Sequence, residues 1–376
     1  MPENVLCTSI MEHFSTLPDP RILLKTRHRL VDIVTMALCA VIAGADDWVE
    51  IAAYAKAKEA WFRDVLKFEG GTPSHDTFGR VFALLNPDAF AKCYIDWVRA
   101  LVNISDEVVA VDGKTLRRSH DRSNGKSAIH MVNAWAVHHG LVLGQVKTEA
   151  KSNEIKAIPE LLRLLDVKGS VVTIDAMGCQ KEIAKQIVEQ EADYVFSLKG
   201  NQGNLHKEVR LLFEDAKKDG FKDLTHDSFT TVDGEHGRIE TRRYTTVADL
   251  DWFEDKDKWA KLTSFGMIES EREVDGHITL ETRYFISSLP SDAKRFAEAA
   301  RGHWAVENSL HWCLDIAFRE DDSRVRSGHA QENLATIRRL ALNLIKQDSQ
   351  RKIGVKASRK RAGWDMDYIK KLLGIA

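Results

Sequence analysis

The sequence predicts a mixed α/β protein: a mixed sheet with an antiparallel β insertion, preceded by an all-helical N-terminal domain. Three observations carry this reading. From residue 106 onward, short β-branched runs alternate with stretches of helical periodicity, the texture of an α/β sheet. Residues 225–289 hold strand-like runs, with turns at Asp233-Gly234 and Asp275-Gly276. Residues 1–105 place apolar side chains at helical spacing. At roughly 100–200 residues per domain, a chain of 376 residues has room for two or three. The expected units are a helical domain at 1–105, an α/β domain with the insertion at 106–346 and a basic segment at 347–376.

The elements follow in order. A helix is expected at 31–44 and one or two more at 47–68, where Trp48, Ile51, Ala52, Ala55 and Ala60 mark apolar faces. Gly70-Gly71-Thr72-Pro73 breaks the pattern, and Ser74 is a good N-cap for a helix to about Leu85. Another helix spans 88–102. The helices around this Gly turn resemble a helix-turn-helix, with Ser74, His75, Thr77 and Arg80 near the exposed start of the second helix. A plain helical bundle fits the same pattern. Strands are expected at 107–111, 128–138, 141–148, 170–174 and 194–198. Helices are expected at 153–165, broken near its start by Pro159, and at 180–190 and 204–217. Within the insertion, strands fall at 229–232, 238–247, 262–271 and 277–287, and helices return at 291–301, 304–313 and 331–345.

Composition excludes several classes. Hydrophobic residues make up 44% and charged residues 29%, which is ordinary globular usage. The longest apolar run, 31–45, contains Asp32 and is shorter than the about 20 residues a spanning helix needs. No secretion signal is visible. Five scattered cysteines without a CxxC pair fit a reducing cytoplasm and argue against a disulfide framework or a cysteine zinc site. The net charge is −2, yet 346–376 holds nine Lys or Arg against three acids, and 114–126 holds five against one. Basic segments on an acidic body suit either a phosphate-facing surface or a solvated tail and loop.

The chemistry-bearing residues are acids. Val108-Val-Ala-Val-Asp112 and Val171-Val-Thr-Ile-Asp175 each put an aspartate at the carboxyl end of a buried strand. Ligands of open α/β sheets bind at that edge. Two converging carboxylates would repel, and a hard divalent cation such as Mg²⁺ would relieve the repulsion. Each aspartate alone would equally cap the following turn. A third acid, Glu307, shares a helical face with His303 and His311, with Trp304 and Trp312 on a neighbouring, packed stripe. Asp315 and Glu320-Asp321-Asp322 are rival acids, the latter read as a solvated loop. No Walker A loop, GxGxxG fingerprint or GxSxG elbow is present.

Seven ordered segments carry a closer resemblance. They are VDGKTLRRS at 111–119, KSNEIKAIPELL at 151–162, TIDAMGCQKEIA at 173–184, SLKGNQG at 197–203, HGRIETR at 236–242, HWAVENSLHWCLD at 303–315 and EDDSRVRSGHAQENLATIRRLALNLIK at 320–346. Together they resemble the H-repeat-associated, Rhs-linked bacterial insertion-sequence transposases of the DDE superfamily, over nearly the whole chain. The resemblance implies a ribonuclease-H-like catalytic domain, with the first Asp on the first strand, the second ending a later strand and the Glu on a late helix. It also implies that residues 1–105 are the family's transposase-associated domain. One departure stands out. The broader insertion-sequence branch has a Tyr and an Arg before the Glu and a Lys after it, where this chain has Ala300, His303 and Leu314.

By this resemblance Asp112, Asp175 and Glu307 are the catalytic acids, holding two Mg²⁺ or Mn²⁺ ions about 3.5–4 Å apart. The implied reaction cuts transposon-end DNA and joins its 3′-hydroxyl to target DNA. The implied setting is a homodimer on double-stranded DNA in the bacterial cytoplasm, nucleoid-associated when bound. Lys114, Arg117, Arg118, Lys199 and Asn201 are expected to hold phosphates, and His303 to replace the missing arginine. His236, Arg238 and Arg242 alternate onto one strand face that would hold the transposon end. Two readings compete: a metal-dependent endonuclease that never joins, and a decayed or domesticated DNA-binding protein.

Overall fold

The computed structural model describes residues 5–22, 26–66, 68, 70–120, 127–148, 154–234 and 237–375. Helical spacing in the N-terminal stretch produces six helices: α1 (Val5–Ser15), α2 (Leu30–Ile42), α3 (Trp48–Ala57), α4 (Glu59–Leu66), α5 (His75–Leu84) and α6 (Pro87–Leu101). Side-chain caps set three of the starts. Asp47 accepts from the N–H groups of Val49 and Glu50, Ser74 from Thr77, and Asn86 from Ala89. In α2 every residue except Val31 is buried. A helix apolar on all sides needs cover on all sides.

The sheet comes next, with its helices interleaved: β1 (Val108–Thr115), β2 (His130–Ala136), β3 (Leu141–Thr148), α7 (Glu154–Leu164), β4 (Val171–Ile174), α8 (Lys181–Glu189), β5 (Asp193–Leu198) and α9 (Asn204–Lys218). Four more strands follow: β6 (His226–Asp233), β7 (Arg238–Val247), β8 (Ser264–Val274) and β9 (His277–Ser287). Among the described residues these make one nine-stranded sheet, ordered β3-β2-β1-β4-β5-β9-β8-β7-β6. β1, β4 and β5 run parallel, and every other pairing is antiparallel. The strand-rich segment does not stand apart. β9 pairs with β5 from Val195↔Ser287 to Leu198↔Tyr284, so it continues the sheet. Asp275 and Gly276 both have positive φ at the β8–β9 turn, as an Asp-Gly hairpin requires.

Alternation along the strands separates two faces. Val108, Val171 and Val195 pack with Phe296, Ala297 and Ala300 of α10 (Ala293–Ala305). Val109, Val111, Val172 and Ile174 pack on the opposite side with Ala157, Ile158 and Leu161 of α7 and Ile183 and Ile187 of α8. The α7 helix is continuous across Pro159 rather than broken. The proline removes a single ladder bond, and the buried Ala157, Ile158, Leu161 and Leu162 hold the helix to the sheet.

The chain ends with α11 (Trp312–Phe318), α12 (Ala330–Gln347), α13 (Val355–Trp364) and α14 (Met366–Leu373). α12 lies among α2, α5, α6 and β3. One apolar cluster therefore runs from Ile10 through Phe82, Leu161 and Leu340 to Ile369, and the core does not divide near residue 105. The basic C-terminal segment is folded onto this core. Arg359 is buried, donates to the carbonyls of Val41 (2.9 Å), Ala45 (3.2 Å) and Ala317, and pairs with Asp46. Its guanidinium also lies 4.3 Å from the Phe318 ring centre.

Asn343 is one of the links between α12 and the edge strand β3, beside Gln145–Thr336. Its amide accepts from Val142 N–H and donates to Val142 C=O, each at 2.9 Å, fully out of water. Asn343→Leu leaves both backbone groups without that partner. The carbonyl still accepts from the Tyr94 hydroxyl, so we expect a loss of about 1–3 kcal/mol in urea unfolding, the desolvation cost of the one orphaned Val142 N–H.

Candidate active site

β1 and β4 lie side by side in parallel, and their last register pair is Val111↔Ile174. Asp112 and Asp175 are each the next residue. Two neighbouring strands thus deliver two carboxylates to one edge of the sheet. Helix α10 crosses β1, β4 and β5 and passes into a π-helical segment, Val306–His311, which carries Glu307. Such wider turns occur at functional sites. Asp112, Asp175 and Glu307 all line one pocket of about 170 Å³, together with Thr173, Ser197, Lys199, Arg283, His303 and Trp304.

The electrostatics follow from crowding. Burial pushes the Asp112 carboxyl up to about 7, against the hydrogen bond from Gly113 N–H, and the charges of Asp175, Glu154 and Glu307 add to the rise. Asp175 also shapes its own turn, with Oδ1 accepting from Met177 N–H at 3.0 Å and Gly178 N–H at 3.4 Å. It therefore caps the turn and lines the pocket at once. In kind, an all-oxygen set of mutually repelling carboxylates fits a hard divalent cation. In arrangement, no three His, Cys, Asp or Glu side chains among the described residues are grouped closely enough to hold one ion. The fold gathers the acids into one pocket without closing them into a single coordination sphere.

His303, Glu307 and His311 all turn toward the acids, as their spacing predicts. His303 Nδ1 is 3.2 Å from Thr173 Oγ1, and burial lowers its pKa to about 4. It is neutral near pH 7 and brings no positive charge to the pocket, unlike the arginine at this position in the broader branch. His311 Nδ1 stands 3.6 Å from Asp112 Oδ2. Burial, with the charges of Lys114 and Arg339, lowers its pKa to about 3. Trp304 and Trp312 do not pack as expected; they are 42% and 62% exposed.

The basic residues divide. Lys199 is exposed at the pocket. Asn201 instead braces the site, donating to Ala176 C=O at 2.8 Å beside Gln202. Lys114 is buried and paired with Asp315 at 2.7 Å and Asp321 at 3.2 Å, so its charge is taken up inside the protein. Arg117 and Arg118 are exposed and lean on Asp321 and Asp322. Arg238 is exposed, but Arg242 is buried between Asp233 and Glu240. His236 lies outside the described residues. Ser74, Thr77 and Arg80 start α5 away from the acids; Arg80 lies in a groove shared with Arg319, Arg324 and Arg326.

Three features escaped the sequence reading. Arg283 reaches the pocket with its guanidinium 4.3 Å from the Trp304 ring centre; only its alternation with Phe285 on β9 hinted at it. Glu154 sits within a quoted motif without a role. Glu320 is not in a solvated loop: it is 1% exposed and paired with Arg339 at 2.8 Å. Arg339 also donates to Asn133 at 2.7 Å, on the position of β2 registered with Asp112.

Comparison with known proteins agrees with this architecture. A family model described as the transposase DDE domain matches residues 104–344, and one described as DDE_Tnp_1-associated matches residues 11–98. The chain therefore belongs to the DDE-domain transposases. It is 42% identical over 375 residues to "H repeat-associated putative transposase YhhI" of Escherichia coli strain K12, covering 97% of each chain. It is 43% identical over 373 residues to "Putative transposase YncI" of Escherichia coli O157:H7, covering 97% of this chain and 94% of that one. A shorter relative, named "Inactive transposase YbfQ", is 40% identical over 72 residues, 19% of this chain and 86% of its own length.

The Glu320–Arg339 pair makes the site wall sensitive to acid. Burial pushes the Glu320 carboxyl up, but the charges of Arg339, Arg338 and Lys114 outweigh it and hold the group below its ordinary 4.5. A depressed carboxylate stabilises above its unfolded-state pKa, and that stability is lost as pH falls through the folded value. Urea midpoints should therefore drop as pH is lowered below 4.5. Glu320→Gln should flatten that slope and cost about 3–5 kcal/mol at pH 7 by leaving Arg339 unpaired.

Proposed function

We propose that this chain cuts the DNA at the ends of its own element and joins the exposed 3′-hydroxyl to target DNA. One observation carries the reading: Asp112 and Asp175 end neighbouring parallel strands, and Glu307, 132 positions further on, lines the same pocket. The order β3-β2-β1-β4-β5, with β1 central and β4 and β5 parallel to it, is the arrangement expected of a ribonuclease-H-like core. Membership of the transposase family supports the substrate class.

In this mechanism water attacks a backbone phosphorus at the element's end. The P–O3′ bond breaks, and the departing oxygen takes a proton to become a free 3′-hydroxyl. That hydroxyl then attacks a phosphorus of the target strand, a new P–O bond forms and the target's own 3′-oxygen leaves with a proton. Asp112, Asp175 and Glu307 would hold two Mg²⁺ or Mn²⁺ ions, which when bound supply charge neutralisation and a more acidic attacking water. Lys199 places positive charge at the pocket, where phosphate oxygens gain negative charge during transfer, and Arg283 lines it held by Glu281 at 2.7 and 2.8 Å. Arg117, Arg118 and Arg238 remain exposed for contacts further along the duplex, as do Ser74 and Arg80 at α5. Two copies acting on paired ends, in the cytoplasm on the nucleoid, complete the reading.

The test uses the purified full chain with Mn²⁺ or Mg²⁺ and duplexes spanning both borders of its own element. Cleavage and joining are read on denaturing gels. Asp112→Asn, Asp175→Asn and Glu307→Gln should each lower cleavage by about 10²–10³-fold or more, with DNA binding in gel shifts retained. Unchanged cleavage in these variants would refute the reading, and cleavage without joining would leave a hydrolase. Lys199→Ala should reduce the slope of log affinity against log salt by about 1.

A further inference from the structure

The match to the transposase DDE domain ends at residue 344, yet the chain beyond it is folded and carries a helix that the proposed chemistry leaves unused. In its ten residues α13 holds two lysines, two arginines and a tryptophan, and no acid. Its inner face is Val355, Ser358, Arg359 and Ala362, all buried, set against α2, α11 and α12. Helical period puts Lys356, Lys360 and Trp364 one turn apart along the opposite face. All three are exposed. Trp364 is 79% exposed, more than any other large apolar side chain among the described residues. Both arginines of the helix are engaged, Arg359 with Asp46 and Arg361 with Asp365. Lys356 and Lys360 form no side-chain ion pair or hydrogen bond among the described residues.

Neither feature serves the fold. Like charges at i and i+4 repel and weaken the helix that carries them. An indole left in water forfeits the stabilisation that burying its large apolar area would bring. Both penalties fall away when a polyanion with apolar edges lies along this face. The backbone of duplex DNA has that chemistry. Its phosphates take up the ammonium groups and release condensed counterions, while the deoxyribose edges offer the indole apolar contact. α13 also packs against α11, which continues directly from the segment carrying Glu307, so DNA at the acids has this face one helix away.

We propose that the outer face of α13 grips the backbone of duplex DNA beside the cutting site through Lys356, Lys360 and Trp364. The grip rests on the reading that the chain acts on DNA. The test measures binding of the full chain, without metal and over a range of salt, by fluorescence anisotropy. Two labelled duplexes are used, one spanning a border of the element and one of unrelated sequence. Lys356→Ala/Lys360→Ala should lower the slope of log affinity against log salt by about 2, since each phosphate contact contributes about 0.9. The fall should be equal on both duplexes, because phosphate contacts carry no sequence information. Lys356→Arg/Lys360→Arg should keep the parent slope. So should Lys168→Ala/Lys218→Ala, which removes equal charge from lysines paired elsewhere with Glu191 and Asp215. Trp364→Phe should show less quenching of tryptophan emission by saturating duplex than the parent. An unchanged slope in Lys356→Ala/Lys360→Ala overturns the proposal, as does an equal fall in Lys168→Ala/Lys218→Ala. Unchanged quenching in Trp364→Phe overturns the contact assigned to the indole. If the parent binds neither duplex, the DNA reading itself fails. Asp112→Asn, expected to lose cleavage with the parent salt slope kept, separates failure of the acids from failure of this face.

Discussion

The constraint on which the rest of the structure depends is the partial burial of two carboxylates set side by side at the ends of β1 and β4. Parallel strands in register make the proximity of Asp112 and Asp175 unavoidable. Burial and neighbouring charge drive the Asp112 carboxyl to about 7, a cost the fold carries rather than removes. Histidines nearby offer no relief, since burial keeps His303 and His311 neutral near pH 7. The nearest lysine on the same strand, Lys114, is turned to Asp315 and Asp321. Lys199 and Arg283 bring positive charge to the same pocket, but Arg283 is paired with Glu281, so the three acids are only partly compensated.

Holding such a site open requires a stiff frame. α10 braces one face of the sheet and α7 the other, while α12 ties the edge strands to the N-terminal helices. Buried arginines do much of the joining. Arg339 links α12 to Glu320 and Asn133, and Arg359 links α13 to the carbonyls that end α2 and α11. Each guanidinium satisfies several acceptors in fixed directions, which a lysine cannot match. Of the basic residues in the C-terminal segment Arg359 alone is buried, while Lys352, Lys356, Lys360, Arg361 and Lys371 stay exposed on the folded α13 and α14 stretch.

Legibility varied with how local the cause was. The Ser74 cap, the Asp275-Gly276 hairpin and the buried runs of β1 and β4 each depend on a few adjacent residues, so the chain itself announces them. The continuity of α7 across Pro159 was not announced, because tertiary burial of its apolar face outweighs one lost backbone bond. Arg242 read as a phosphate contact because it alternates with Arg238, yet Asp233 and Glu240 neutralise it from across the hairpin and along the strand. Glu320 read as solvated because its neighbours are acidic, yet it meets Arg339 from a helix that begins ten residues later.

The sequence by itself determined the class of fold, the strand-end position of Asp112 and Asp175, and the shared face of His303, Glu307 and His311, since all of these follow from period and local chemistry. The tertiary structure alone decided which charges remain available. Lys199 reaches the pocket, Arg283 reaches it already paired with Glu281, Lys114, Arg242 and Arg359 are consumed by partners, and Glu154 arrives beside Gly113. The physical reason is that a side chain's period places it on a face, whereas its pairing depends on which distant segment packs against that face.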